Sequence, residues 1–120
     1  MNHGYDYDLV CIGSEPAGQR AAVQAAKLGN RTAVVERGRV VGGVCVDTGT
    51  IPSKTFREAV LSLNGRVFPN NSPVRSRSAI SLTAEELFDR VAKVEQHRSD
   101  IITDQLRRNE VMVLTGEASP

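Results

Sequence analysis

Between Tyr7 and Glu36 the chain alternates in a way that few folds accept. Residues 7–12, Tyr-Asp-Leu-Val-Cys-Ile, form a short apolar run that stops at Gly13, the pattern of a buried strand. Pro16 follows where the first turn of a helix tolerates it, and Ala17 to Leu28 is an alanine-rich helical stretch closed by Gly29. Thr32 to Val35 is a second, β-branched run, ending at Glu36. Strand, glycine-bearing turn, helix and strand within about thirty residues make a βαβ unit, whose crossover is expected to be right-handed. The fold class is therefore α/β.

The rest of the chain extends this unit. Arg37 to Gly49 is rich in glycine and reads as a loop. Pro52 marks another helix start, with Phe56, Ala59, Val60 and Leu63 on one side and Asn64-Gly65 as the stop. Residues 66–80, which include Pro69-Asn70-Asn71-Ser72-Pro73, read as an exposed loop. Thr83 with Glu86 three residues later is a capping box. The helix it opens is expected to run to about Arg108, with Leu87, Val91, Val94, Ile101 and Leu106 near one face. Val111 to Leu114 is a third strand candidate. By analogy with doubly wound folds the strand order is 3-2-1, three parallel strands with covering helices, and the edge beside the first strand stays uncovered.

Composition narrows the function classes. A chain of 120 residues suits about one domain with a real core. Lys plus Arg total 15 against 14 Asp plus Glu, a net charge of +1, which argues against an electrostatically driven nucleic-acid binder. No apolar run approaches the roughly 18 residues of a membrane span. The amino terminus carries no basic and apolar signal pattern, so a cytoplasmic chain is expected. Cys11 and Cys45 are too few for a disulfide scaffold. His3 and His97 have no partners at ligand spacing, so no metal is expected, and Arg75-Ser76-Arg77-Ser78 reads as solvated loop.

The turn after the first strand reads Gly13-Ser14-Glu15-Pro16-Ala17-Gly18. A dinucleotide-binding fingerprint is G-x-G-x-x-G between strand and helix, with an acidic residue about twenty positions on. Gly13 suits the tight turn, Gly18 suits close helix–strand packing, and Glu36 stands where ribose hydroxyls would be held. A helix amino terminus here would receive a pyrophosphate. Glu15 departs from the pattern, because a glycine normally lets backbone approach the phosphates. A carboxylate about 4 Å from a phosphate costs roughly 1 kcal/mol in water and roughly 4 at an effective dielectric of 20. An ordinary βαβ turn that holds no nucleotide is the competing reading of this turn taken alone.

The segment Val41-Gly42-Gly43-Val44-Cys45-Val46-Asp47-Thr48-Gly49-Thr50-Ile51-Pro52-Ser53-Lys54 is longer and more specific. With the preceding turn and Glu36, it resembles the FAD domain of the pyridine nucleotide-disulfide oxidoreductase family. That family's pattern is G-G-x-C-x-x-x-G-C-I-P-S-K, whose two cysteines form a redox disulfide beside the flavin. This chain keeps the first cysteine as Cys45 and has Thr50 in place of the second. The dithiol relay is therefore missing, and Cys11, in a predicted buried strand, is a poor substitute. Gly49-Thr50-Ile51-Pro52-Ser53-Lys54 is similar to the soluble, Si-specific NAD(P)+ transhydrogenase branch of the family. The likeness continues more weakly through Thr55 to Val60 and the long helix to Gly116-Glu117-Ala118.

The resemblance implies an FAD-dependent oxidoreductase in which hydride passes from NADPH to FAD and then to NAD+, chemistry that needs no thiol. It implies that Gly13 and Gly18 frame the pyrophosphate turn, that Glu36 holds the adenosine ribose, and that Arg37 leads into the loop beside it. Gly42 and Gly43 would pass close to the FAD, with Cys45 opening a short helix against the isoalloxazine. Thr50 would lie nearest the flavin ring, and Lys54 near its N5 side, where a cation stabilises the reduced ring. Ala118 would contact adenine through its backbone. Family members are several times longer and homo-oligomeric, so residues 1–120 correspond to the amino-terminal part of an FAD-binding domain. Such a chain alone is expected to show no nicotinamide turnover. The alternatives are a non-catalytic FAD-binding or interaction remnant, and a dihydrolipoamide dehydrogenase-like or mercuric reductase-like flavoprotein, against which Thr50 argues.

Overall fold

The computed structural model describes residues 4–63 and 83–119. Three strands and four helices follow one another as β1 (Leu9–Ile12), α1 (Pro16–Lys27), β2 (Thr32–Glu36), α2 (Val44–Asp47), α3 (Thr50–Leu63), α4 (Ala84–Arg108) and β3 (Met112–Thr115). Asn64-Gly65 and the expected loop at 66–80 lie outside the described residues. The sheet has the order β1-β2-β3, with both neighbouring pairs parallel, as the 3-2-1 expectation required.

Register explains which face carries the helices. Cys11, Val34 and Val113 stand side by side across the three strands, as do Ile12, Val35 and Leu114 one residue on. The first row packs with Ala22, Val23 and Ala26 of α1, Ile102 and Leu106 of α4, and Val111. Val10, Ile12, Met112 and Leu114, on the opposite face, remain exposed. Both crossovers step in the same direction along the sheet, so crossovers of one hand bring both helices to one side.

Helix α4 corrects one expectation. Leu87, Val91 and Leu106 are buried and Val94 is half-buried, but Ile101 is 43% exposed. Ser99 and Ile102 take the inward positions instead. The buried stripe rotates because the two halves of α4 meet different partners. The first half lies against α3, where Phe88 meets Phe56 with ring centroids 6.0 Å apart. The second half lies against the sheet and α1. A single stripe drawn along the sequence assumes one partner throughout.

One boundary also differs from the expected one: helix α3 opens at Thr50, two residues before Pro52, which its first turn accommodates. The glycine-rich segment after β2, loop-like in composition, contains the one-turn α2 with Cys45 in it, the short helix that the resemblance implied. At the start of α4, Thr83 Oγ1 accepts from the Glu86 N–H at 3.2 Å and the Glu86 carboxylate accepts from the Thr83 N–H at 2.7 Å, completing the capping box. Among the described residues, no helix is long and apolar enough to cross a membrane.

Candidate functional site

The carboxyl ends of all three strands open onto one cleft of about 350 Å³, at the lower end of the range for small-molecule sites. Ile12 and Gly13 bring the end of β1 to it, Val35 and Glu36 the end of β2, and Gly116 to Ala118 the segment after β3. Gly43, Val44 and Asp47 close it from the glycine-rich loop and α2. Parallel strands end on the same side, so this is where chain reversals gather.

The β1–α1 turn is shaped by its first and last glycines. Gly13 adopts φ +94°, a left-handed conformation that side chains resist, and donates its N–H to the Val35 carbonyl at 2.8 Å. Gly18 is needed for closeness: a Cβ there would stand 2.3 Å from the Gly13 carbonyl oxygen. Backbone cannot give way as a flexible side chain would. Gly18→Ala is expected to destabilise the protein by about 2 kcal/mol and to open the turn, read by urea denaturation. An unchanged denaturation midpoint would contradict this packing.

Glu36 is 7% exposed and tied to its own chain. Its Oε2 accepts from the Ser14 N–H at 2.9 Å and from the Ser14 hydroxyl, and its Oε1 from the Gly38 N–H at 2.6 Å. Burial pushes the Glu36 carboxyl up, but hydrogen bonds from the Ser14 hydroxyl and the N–H groups of Gly38, Ser14 and Arg37 outweigh it and hold the group below its ordinary value. The Ser14 hydroxyl also accepts from the Gly42 N–H at 2.7 Å. One serine therefore links the turn, the end of β2 and the glycine loop.

That loop has further supports. Gly42 has φ +127°, and a Cβ on it would meet Val46 Cγ2 at 2.3 Å. The Val41 N–H donates to Ser99 Oγ of α4 at 3.0 Å, which pins the loop from behind. Gln19 Nε2 donates to the Ser14 carbonyl at 2.6 Å. Ser14, Gln19 and Ser99 escaped sequence reading, because a lone serine or glutamine carries no motif of its own. The only signal for Ser14 was its place inside the glycine turn.

The expected site residues divide into three groups. Gly13, Glu36, Arg37, Gly43 and Ala118 meet in the cleft. Gly18 and Gly42 stand behind it and set its shape. Cys45, Thr50 and Lys54 lie on α2 and the start of α3, outside the cleft lining, with Cys45 half-buried and Thr50 and Lys54 exposed. Both cysteines are free; Cys11 lies against the core in β1, where burial pushes its thiol up despite an opposing backbone hydrogen bond from Ala22. At the cleft rim Arg37 pairs with Glu117 at 3.4 Å, and Asp47 pairs with Arg39 at 2.9 Å.

A family model for FAD dependent oxidoreductases matches residues 8–117. The chain is 48% identical over 111 residues to a soluble pyridine nucleotide transhydrogenase of Mycobacterium tuberculosis (strain ATCC 25177 / H37Ra), covering 92% of this chain and 24% of that protein. It is 38% identical over 125 residues to the protein of the same name from Escherichia coli O1:K1 / APEC, covering 98% of this chain and 25% of the relative. In fold it is similar to the HOCl-induced flavoprotein disulfide reductase RclA from Escherichia coli. The Cu(II) complex of that protein aligns with a TM-score of 0.75 at 24% identity, over 97% of this chain and 23% of the other. A second structure of it aligns with a TM-score of 0.69 at 25% identity, over 95% and 22%. The chain thus spans about a quarter of the length of these proteins.

Proposed function

Because the chain belongs to the FAD dependent oxidoreductase family, we propose that its cleft takes the adenosine and pyrophosphate part of FAD within a transhydrogenase-like flavoenzyme. The observation that carries this reading is the join of turn, acidic strand end and glycine loop through the Ser14 hydroxyl. A nucleotide site at the carboxyl ends of parallel strands needs such a join, since its walls come from segments far apart in sequence. Gly13 and Gly18 keep the amino terminus of α1 close to the strand, where its N–H groups favour a phosphate. Glu36 and Arg37 line the ribose side, and the backbone at Ala118 faces adenine. Gly42 and Gly43 allow close passage of the chain along the cofactor.

Cys45, Thr50 and Lys54 then belong to the flavin end, beyond the cleft described above. When bound, FAD accepts and donates the hydride, which the side chains of this segment cannot do. The part of the Thr50 hydroxyl is to leave that end without a second thiol, so no internal disulfide competes for the electrons. Lys54 contributes positive charge where the reduced ring gains negative charge. The chemistry of the whole enzyme, on this reading, is transfer of hydride from NADPH to NAD+ in a cytoplasmic homo-oligomer. Residues 1–120 form the amino-terminal part of its FAD domain and do not turn over nicotinamides alone.

Titration of the chain with FAD, followed by the flavin absorbance spectrum and fluorescence, tests the reading. Uptake of FAD without NADPH oxidation is the expected result. A folded protein that leaves the spectrum of added FAD unchanged would remove flavin binding from this chain.

A further inference from the structure

Glu15 lies in the cleft at the residue that caps α1, yet its side chain makes no capping hydrogen bond. It reaches across to the glycine loop: a Cβ on Gly43 would stand 2.6 Å from Glu15 Oε1 and 2.7 Å from its carboxyl carbon. The loop therefore accommodates this carboxylate at a position where any residue but glycine would displace it. The other acids of the rim, Asp47 and Glu117, each have an arginine partner, and Glu36 has Ser14 and Gly38. Among the described residues, no cation or hydrogen-bond donor engages the Glu15 side chain.

We propose that Glu15 is a specificity-determining residue that weakens the hold of the cleft on the phosphates of its ligand, so that this chain takes ADP and FAD less tightly than it would with an uncharged residue at position 15, with adenosine little affected. The inference rests on the adenine-nucleotide reading of the cleft given above. Its physical basis is the gap between the amino terminus of α1 and Gly43. That gap is the approach a ligand phosphate takes to the free N–H groups of the helix. A fixed negative charge standing in it opposes a phosphate and leaves adenosine almost untouched. The like-charge contact is only partly screened, because one side of the gap is the protein itself. A glycine at position 15 would remove both the charge and the bulk; a glutamine would remove the charge alone.

The test is a titration of the full chain and its Glu15→Gln and Glu15→Gly variants with adenosine, ADP and FAD at low and moderate salt. Both variants are expected to bind ADP and FAD about 10-fold more tightly or better than the unsubstituted chain. Adenosine affinity is expected to stay within about 2-fold, and added salt is expected to narrow the gap for ADP, since screening weakens the repulsion. Three results would overturn the proposal. ADP and FAD affinities unchanged in both variants, with adenosine bound, would leave the nucleotide reading standing and Glu15 without this role. Tightening in Glu15→Gly alone would assign the effect to bulk rather than charge. Absence of binding by every ligand to every variant would remove the nucleotide reading itself.

Discussion

Replacing Glu36 by alanine is expected to cost about 3 kcal/mol of folding stability and to abolish FAD uptake. The carboxylate accepts from the Ser14 N–H and hydroxyl and from the Gly38 N–H, and Ser14 is fully buried. Hydrogen bonds to a charged group contribute about 1.5–3 kcal/mol each, and a buried donor left without a partner costs about 1–3. The Gly38 N–H lies at an exposed residue and finds water, so its loss adds little. The Ser14 N–H has no such recourse. Loss of the carboxylate also releases Ser14 from one of the two segments it joins, since Gly42 still donates to its hydroxyl. The cleft would lose the wall between β1 and β2.

The same substitution changes the response to acid. Hydrogen bonding holds the folded Glu36 carboxyl below its ordinary value, about 4.3 for a free glutamate. Its contribution is therefore complete above that unfolded value and is lost as pH falls through the lower folded one. Urea denaturation of the two proteins is expected to differ most near neutrality and to converge in acid. Equal denaturation midpoints at neutral pH would show that Ser14 is satisfied without Glu36.

Leu106→Ala is expected to cost about 3 kcal/mol, within the usual range for a buried leucine. Leu106 is 1% exposed and packs with Ala22, Val23, Val34 and Val111, the contact that fastens α4 to α1 and the sheet. Domains are stable by only about 5–15 kcal/mol, so this loss would take a large share. Ile101→Ala, five residues earlier and 43% exposed, is expected to cost less than about 1 kcal/mol. Chemical denaturation of the pair tests the rotation of the buried stripe along α4. Comparable losses at both positions would mean that the stripe runs straight.

Much of the scaffold was legible because its signals are local. The apolar run before Gly13, the Pro16 start and the β-branched residues 32–35 each act within a few residues, and they yielded β1, α1 and β2 with small shifts at the ends. The capping box at Thr83 and Glu86 did the same for α4. The turn from Gly13 to Gly18 and the acid at Glu36 were legible as neighbours for a related reason: their spacing is set by one strand and one helix. Ser14 and Ser99 were not. Each matters through a partner far along the chain, Glu36 and Gly42 for the first and Val41 for the second. Ile101 misled because periodicity describes a helix with one partner, and α4 has two.

The sequence by itself determined the βαβ order, the glycines that permit the turn, and the substitution of Thr50 for a second thiol, since each depends on residue type at short spacing. Only the tertiary structure decided where the Glu15 carboxylate rests. Its partner across the gap is Gly43, brought there when Ser14 and Ser99 draw the glycine loop over the end of the sheet. Contacts of that kind arise from the packing of distant segments, and no spacing rule along the chain encodes them.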